Sequence, residues 1–332
     1  MSDLFGFKGA EGAGYAQPDP ISDDFEFPTA LQRENLPRWP RASEPEIVRH
    51  YTWLSTRSHG IDSGFYPLGS CTMKHNPRVN ERIVQMPGMN DIHALAPASH
   101  LQGLMAIFHE MQEMLEHCAG MDTVTLQPVA GAQGEFTAMR CIQEYHRDIG
   151  QEHRNKVIVP DSAHGTNPAS AAMCGYEIIE IPSLENGQLD LDALRAVVGE
   201  DTAAMMITNP STLGIFEPEI AEAASIVHDA GGQMYYDGAN FNAILGKTNP
   251  GLMGFDAVHY NLHKTFSQPH GGGGPGVGPI GVAAHLAPFL PGHPLQTSSD
   301  QAIGPVSAAA LGSASILPIS WMYLRMMGAE AL

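Results

Sequence analysis

A single lysine, Lys264, stands between a β-rich segment at 257–260 and a glycine-rich run at 270–276. Its immediate neighbours are His263 and Thr265, and the residues beyond them are apolar. A lysine that is partly removed from water loses its proton more readily and can then form an imine with an aldehyde. Most lysines lie on the surface, but the apolar surroundings of this one favour a chemical role.

A carboxylate follows another apolar run in the chain. Asp237 ends the run 233–236 and precedes Lys264 by 27 residues. A carboxylate beside a pyridine nitrogen keeps the ring protonated, and the protonated ring acts as an electron sink. Ala239 is small enough to let a flat ring lie close to the backbone. An aspartate at a strand end is often only a helix cap, yet lysine, aspartate and a backbone-rich loop together predict a site for pyridoxal 5′-phosphate.

His164 lies in the loop 161–168, beside a turn-forming glycine. An imidazole there can stack on the second face of the cofactor ring, although a lone loop histidine is more often a hydrogen-bonded bystander. We assign His164 and Lys264 as catalytic residues. Two sequence neighbours, Thr166 beside His164 and His263 beside Lys264, are assigned to the cofactor site.

Two further loops offer groups to the same cofactor. Residues 131–135 lie between a predicted strand and a predicted helix, where the N–H groups of Ala132 and Gln133 can bind a phosphate. As a lone signal a G-x-x-G spacing is weak. After another predicted strand, Ser211 and Thr212 place hydroxyls toward the phenolic oxygen of the cofactor, although the same residues are common in ordinary turns.

The elements that must position these residues alternate between strand and helix. Such alternation predicts an α/β fold with a mostly parallel, doubly wound sheet and helices on both faces. In sheets of this kind ligands bind beyond the carboxyl ends of the strands, where all of the loops above begin. The predicted strands are 123–126, 156–160, 177–181, 203–208, 234–237 and 257–261, and the predicted helices are 135–147, 167–174, 191–198 and 219–230.

The flanking segments give a domain prediction. Residues 1–75 combine a Pro- and Gly-rich extended arm, a short helix at 44–55 and an irregular segment at 58–74 whose mixed texture is typical of a binding wall. Residues 76–305 form the large domain, and its first predicted helix spans 99–118. Residues 306–332 begin a C-terminal small domain, and we predict one long apolar helix over 307–332.

Composition excludes several classes of protein. The net charge of −19, with only 17 Lys and Arg in 332 residues, argues against a nucleic-acid footprint. No apolar run is long enough for a bilayer, and the N-terminus lacks a secretory or mitochondrial targeting pattern, so we expect a cytoplasmic protein. The histidines form no HExxH motif, and the cysteines form no CxxC pair and read as reduced thiols: Cys71, Cys118, Cys141 and Cys174.

Four segments, 63–74, 127–135, 161–169 and 263–275, together resemble the P-proteins of the glycine cleavage system, specifically their subunit 2 (B-type) chains. The resemblance implies a fold-type I pyridoxal-phosphate enzyme, a decarboxylating glycine dehydrogenase. Lys264 would bind the cofactor, Asp237 its ring nitrogen and His164 its ring face. The reaction would release CO₂ from glycine and transfer the aminomethyl group to the lipoyl arm of the H-protein.

The resemblance also implies an A-type subunit as partner, in a heterotetramer. His59 and His75 depart from it, because the family has tyrosines in the corresponding loops. Family members continue past residue 332 into a smaller C-terminal domain, which this chain is therefore expected to lack.

Three other interpretations compete with this one. The chain could be another fold-type I enzyme, an aminotransferase or a cysteine desulfurase, although only Cys71 lies in a loop suited to a desulfurase. It could be a truncated, inactive assembly subunit, which cofactor binding and a glycine-dependent spectral change would distinguish. A nucleotide site at the glycine run is excluded because the run lacks the GK[ST] ending of a P-loop.

Overall fold

The computed structural model describes residues 28–35, 42–65, 74–89, 91–93, 95–269, 276–296 and 298–331. Most of the predicted extended arm, much of the segment 58–74 with Cys71, and the glycine run at 270–275 lie outside the described residues. The contacts between Cα atoms divide the chain into two compact units, Met1–Pro67 and Leu68–Leu332. The domain boundaries expected at 75 and 305 stay predictions.

The described part of the first unit contains one α-helix, α1 (Glu44–Ser55), at the bounds that the sequence predicts. The Glu46 carboxylate accepts hydrogen bonds from the backbone N–H of Ser43 at 2.7 Å and from its hydroxyl at 2.8 Å. This interaction satisfies a backbone donor at the helix start, where no helical acceptor exists. A 3₁₀ turn, Thr29–Leu31, precedes the helix.

The second unit is built on one seven-stranded sheet in the order β1-β7-β6-β5-β4-β2-β3. Six strands share one direction, and β7 alone runs opposite to its neighbours β1 and β6. The mostly parallel sheet predicted from the sequence is confirmed, but the sequence analysis did not predict β7. The strands are β1 (Thr123–Thr125), β2 (Lys156–Pro160), β3 (Glu177–Ile181), β4 (Thr202–Ile207), β5 (Gln233–Tyr236), β6 (Ala257–His259) and β7 (Ile280–Val282).

Eight described α-helices accompany the sheet. They are α2 (Arg78–Arg82), α3 (Gln102–Ala119), α4 (Gly131–Asp148), α5 (Thr166–Met173), α6 (Leu191–Val197), α7 (Ile220–Asp229), α8 (Leu262–Thr265) and α9 (Leu317–Ala331). Short 3₁₀ turns lie at Ile83–Gln85, Ala98–His100, Gly251–Met253 and Ala287–Phe289.

Helix α3 begins at Gln102, three residues after its predicted start, and the largest differences from the predictions are at α4 and α9. Helix α4 begins at Gly131, four residues before the predicted start, so the loop assigned to phosphate binding is the first turn of the helix. The long helix predicted over 307–332 is wrong in its first part, because 307–316 form turns and α9 begins at Leu317. Gly312 has φ +59 there, a conformation that ends helical runs. Helix α9 is itself interrupted at Gly328.

The core lies on both faces of the sheet. On one face a cluster that includes Met205 and Tyr236 packs against α3 and α7, and on the other Met206 and Tyr235 pack against α4 and α5. Neighbouring residues of one strand point to opposite faces, so strands buried on both faces read as continuous apolar runs. Helices therefore cover both faces, as predicted. Among the described residues no helix is long and apolar enough to span a membrane.

Candidate active site

The predicted site residues converge on one cavity of about 490 Å³ at the carboxyl ends of β2, β4, β5 and β6. Eight of the ten assigned residues line it, whereas Gln133 and His263 are not among the lining residues. Parallel strands bring the loops that follow them to one edge of the sheet, which explains the convergence. The lining includes Gly131, Ala132, Glu135, His164, Thr166, Thr208, Ser211, Thr212, Asp237, Ala239, Asn261 and Lys264.

Asp237 is held rigidly at the end of β5. Its side chain is almost fully buried, its backbone N–H donates to Ile207 O at 2.9 Å, and its Oδ1 accepts the N–H of Ala239 at 3.0 Å. His259 Nε2 lies 3.6 Å from the same Oδ1, and His259 Nδ1 lies 2.5 Å from the Tyr235 hydroxyl. Burial lowers the pKa of His259, so its imidazole is neutral beside the carboxylate.

Lys264 projects from α8, a single helical turn directly after β6. Its backbone N–H donates to Asn261 O at 2.9 Å, and its side chain is half-buried. Thr265, the next residue, accepts the N–H of Phe241 at 3.1 Å and donates to Asn242 Oδ1 at 2.6 Å. These bonds tie α8 to the loop that follows Asp237, so the lysine and the carboxylate share one framework.

A second lysine, Lys74, forms hydrogen bonds with the backbone in and just after α8. Its amino group donates to the backbone oxygens of His263 and, at 3.1 Å, Gln268. Ser267, a non-glycine residue with φ +62, lies in the same stretch, and its Oγ is 3.0 Å from Asn80 Nδ2. The backbone oxygen of His263 is thus bound by Lys74, and His263 is not among the residues that line the cavity.

The first turn of α4 opens onto the cavity. Its first helical hydrogen bond runs from Gly134 N to Ala130 O at 2.9 Å, so the N–H groups of residues 131–133 point beyond the helix start. A Cβ at Gly131 would lie 2.2 Å from Asn261 Oδ1, so a larger residue here would force the Asn261 amide to move. The Gln133 side chain is turned away to accept the N–H of Val129 at 2.6 Å.

The loop after β4 contributes hydroxyls. Thr208 Oγ1 and Ser211 Oγ are buried at the cavity and have no hydrogen-bond partner within the described part of the chain. Buried polar atoms in folded proteins almost always have a partner. Both residues line the cavity, but the two oxygens themselves are shielded from it. Thr212, the next residue, is exposed on the same wall.

Glu135 is a site residue that the sequence analysis noted only as the end of a glycine motif. It is 3% exposed on α4, and its carboxyl is hydrogen-bonded to the hydroxyls of Thr166 at 2.7 Å and Ser170 at 3.1 Å. Burial and then the nearby charge of Asp237 raise the pKa of Glu135 to about 7. The sequence could have indicated this role, because Glu135 is a carboxylate on the apolar face of α4, one turn before the buried Ala138.

Among the described residues no group of His, Cys, Asp and Glu side chains is arranged to hold a metal ion. The three described cysteines, Cys118, Cys141 and Cys174, are free thiols outside the cavity wall. Burial raises the pKa of Cys118 and of Cys174 to about 11, so neither thiol is activated as a nucleophile.

Residues 133–290 match the aminotransferase class-V family. The chain is 52% identical over 331 residues to a protein named probable glycine dehydrogenase (decarboxylating) subunit 2 from Thermococcus kodakarensis, covering 96% of this chain and 66% of that protein. It is also 52% identical to the protein of the same name from Oceanobacillus iheyensis, covering 96% of this chain and 68% of that one. The chain belongs to the glycine dehydrogenase (decarboxylating) subunit 2 family.

The solved structures agree with this family in fold. A crystal structure of glycine decarboxylase (P-protein) of the glycine cleavage system superposes with a TM-score of 0.69 at 21% identity, covering 94% of this chain and 70% of that one. A sphingosine-1-phosphate lyase from Burkholderia pseudomallei superposes with a TM-score of 0.60 at 16% identity, covering 92% and 71%. Class-V aminotransferases and P-proteins are pyridoxal-phosphate-dependent. This subunit 2 family member spans about two thirds of the length of the curated relatives.

Proposed function

We propose that the chain binds pyridoxal 5′-phosphate in the cavity between Lys264 and Asp237, as part of an enzyme that decarboxylates glycine. The observation that carries the proposal is that these two side chains, from the ends of neighbouring strands, line one cavity onto which the start of α4 also opens. An amine, a buried carboxylate and free N–H groups are the three contacts that this cofactor requires.

The residues present fit the cofactor. Phosphate is an acceptor for the outward N–H groups of residues 131–133, and the helix dipole favours its charge. The loop after β4 brings Ser211 and the exposed Thr212 to the cavity wall, where a hydroxyl can meet a phenolic oxygen. Ala239 presents only a methyl group near Asp237 and so leaves space for a flat ring. His164, exposed at the mouth of the cavity, supplies an imidazole for the other face.

When bound, the cofactor supplies an electron sink that stabilises the carbanion left after CO₂ departs from glycine. The residues of this chain prepare that chemistry. Lys264 supplies the amino group that holds the aldehyde, and the frame of Thr265 and Lys74 fixes where that amine lies. Asp237 would contact the ring nitrogen and favour its protonated form, because a buried carboxylate stabilises an adjacent cation. The neutral His259 behind it adds no competing positive charge.

The partners belong to the same proposal. A protein named subunit 2 is expected to assemble with a subunit 1, here the A-type chain of a heterotetramer. The four sequence segments that resemble P-proteins carry the further proposal that the lipoylated H-protein accepts the aminomethyl group, in one-carbon metabolism in the cytoplasm. The absence of an activated thiol from the described cavity wall gives no support to a desulfurase reaction.

Borohydride trapping tests the cofactor site. The chain is incubated with pyridoxal 5′-phosphate, reduced, digested and analysed by mass spectrometry, with absorption spectra taken before and after glycine is added. We expect a pyridoxyl group on Lys264, its loss in the Lys264→Ala variant, and its retention in Lys247→Ala, where the lysine lies outside this cavity. An adduct mainly on Lys74, which lies near Lys264, would refute the assignment.

A reconstituted assay tests the reaction. The chain, its A-type partner and lipoylated H-protein are combined, and ¹⁴CO₂ release from carboxyl-labelled glycine is measured. Cofactor trapping on Lys264 without any glycine-dependent spectral change or CO₂ release would support the interpretation of an inactive assembly subunit.

A further inference from the structure

Glu135, Thr166 and His164 form a continuous hydrogen-bonded chain from the buried face of α4 to the mouth of the cavity. Glu135 Oε1 lies 2.7 Å from Thr166 Oγ1, and the same Oγ1 lies 2.7 Å from His164 Nδ1. The second carboxyl oxygen of Glu135 accepts the hydroxyl of Ser170 at 3.1 Å. The carboxyl is buried, whereas the imidazole at the other end is exposed.

The single hydroxyl hydrogen of Thr166 restricts where hydrogens can lie in the Glu135–Thr166–His164 network. A hydroxyl carries one hydrogen, so Thr166 can donate to Glu135 or to His164 but not to both. If it donates to His164 Nδ1, Glu135 must be protonated and donate to Oγ1. If it donates to Glu135, the carboxyl is ionised and His164 must carry a hydrogen on Nδ1. The protonation of Glu135 and the tautomer of His164 are therefore linked.

We propose that Glu135, acting through Thr166, is a positioning residue that sets which ring nitrogen of His164 carries the hydrogen. This inference rests on the proposed function only for its consequence in catalysis. Since Nδ1 is occupied by Thr166, a ligand in the cavity meets Nε2. While the imidazole is neutral, protonated Glu135 gives an Nε2–H donor toward the ligand, and ionised Glu135 gives an Nε2 lone pair.

The proton balance of this switch is simple. One proton leaves the Glu135–Thr166–His164 chain for solvent when Glu135 ionises. The Thr166 hydrogen turns to Glu135, and His164 exchanges its Nε2 hydrogen for one on Nδ1 through water. The net change is the loss of one proton, and no other reactant takes part. The backbone N–H of Thr166, 3.3 Å from His164 Nδ1, favours the form in which Nδ1 is an acceptor and Glu135 is protonated.

The charges that face Glu135 place the switch near neutral pH. Asp237 at the end of β5 raises the pKa of Glu135, after the larger effect of burial, whereas the hydrogen bonds from Thr166 and Ser170 and the charge of Lys264 lower it, and the result is a pKa of about 7. Tyr235, on β5, also interacts with Glu135, and burial raises the pKa of that phenol so far that it stays neutral. His259 on β6 is likewise neutral.

¹⁵N NMR of the histidine-labelled chain without cofactor tests the link directly. Spectra are recorded between about pH 5 and pH 9, the range in which histidine changes charge, and the His164→Gln variant assigns the His164 signals. In the wild type we expect the neutral form of the ring to change from Nε2–H to Nδ1–H as Glu135 ionises, whereas the charged form, with a hydrogen on both nitrogens, gives its own pair of resonances. In Glu135→Gln, whose amide does not ionise, the neutral form of the ring should keep one tautomer throughout.

Two further variants make the test specific. Thr166→Val removes the link, so the His164 step should disappear while the Glu135 carboxyl, followed by ¹³C, still titrates. Glu144→Gln removes a half-buried carboxyl of the same helix, which pairs with Arg147 outside the cavity, and should leave the step in place. Identical His164 tautomers in wild type, Glu135→Gln and Thr166→Val at every pH would overturn the proposal, and Thr166→Val alone decides it if Glu135→Gln does not fold.

The outcome is separable from that of the proposed function. The tautomer switch is read in the chain without cofactor, so it stands or falls independently of an adduct on Lys264. If both hold, the glycine-induced spectral change should show an inflection near pH 7 that is absent in Glu135→Gln. An inflection that persists in Glu135→Gln would mean that another group controls that step.

Discussion

Two carboxyl groups, Glu135 and Asp237, share the floor of the cavity, and they cannot both be ionised without cost. Each is buried, and their mutual repulsion is one of the causes that raise the pKa of Glu135 to about 7. Two nearby carboxyls typically separate their pKa values, so that one stays neutral while the other keeps its charge. The proton on Glu135 therefore removes one of the two negative charges from this part of the cavity.

The free energy of unfolding should depend on pH because Glu135 binds this proton in the folded state. The pKa of Glu135 is raised above its unfolded value of 4.5, so between about pH 4.5 and pH 7 the folded state binds more protons than the unfolded state. Its contribution to stability is present below that window and is lost as the pH rises through it. The shift corresponds to about 3 kcal/mol, since one pKa unit is worth about 1.4 kcal/mol.

Glu135→Gln should therefore gain stability relative to the wild type as the pH rises from about 5 to about 8. Thermal melting of the two proteins across this range measures the difference, and Glu144→Gln controls for the removal of one carboxyl from α4. A constant offset between wild type and Glu135→Gln at all pH values would contradict the prediction.

His164, Asp237 and Lys264 were accessible from the sequence because each follows a strand, and the carboxyl ends of parallel strands meet. Glu135 was not accessible in the same way. Its environment depends on Thr166, which lies 31 residues away and reaches it only because α4 and α5 pack together. Local sequence shows a glutamate after a glycine, and only the tertiary structure shows that it is buried beside Asp237.

At the scale of elements, helix α4 packs so closely against its neighbours at Gly134 that no side chain fits there. A Cβ at Gly134 would lie 2.7 Å from Gly278 O and 3.1 Å from His259 Cβ, so β6 and the approach to β7 press directly on the helix. Both contacts belong to the framework of the site, because α4 supplies the predicted phosphate contacts and His259 lies behind Asp237. The glycine therefore fixes the distance between the helix and the two strands.

Gly134→Ala should destabilise the protein by roughly 1–3 kcal/mol, because a backbone oxygen cannot move aside as a flexible side chain can. Gly103→Ala is a matched control on α3, an equally long helix, where an added Cβ meets nothing within 4 Å. There the alanine should be neutral or stabilising by roughly 0.5 kcal/mol. Urea unfolding of both variants measures the difference, and equal stabilities for the two would refute the close packing.

The elements that the sequence missed share a physical cause. Strand β7 has three residues with a glycine at its centre, which gives neither an alternating pattern nor a long apolar run. Residues 307–316 are rich in alanine and serine and appeared helical, but Gly312 approaches Leu126 O so closely that a Cβ would lie 2.6 Å away. A tertiary contact overrode a local preference there, and such contacts leave no periodic signal.

At the scale of the whole second unit, the cavity joins parts of the chain that are distant in sequence. The start of α4, the loops after β2 and β4, the end of β5 and helix α8 each contribute to its wall. A ligand that contacts all of them binds the folded state and not the unfolded chain. Its binding energy therefore opposes unfolding of the whole sheet, not of one loop.

Pyridoxal 5′-phosphate should consequently raise the melting temperature of the chain. At a free concentration 100 times the dissociation constant, binding adds about 2.7 kcal/mol, which corresponds to roughly 4 °C in a protein of this size. Pyridoxal, which lacks the phosphate, should give a smaller shift because it leaves the N–H groups at the start of α4 unused. Lys264→Ala should retain only the noncovalent part, while Lys247→Ala should behave as the wild type. Equal shifts with pyridoxal and its phosphate would place the phosphate site elsewhere.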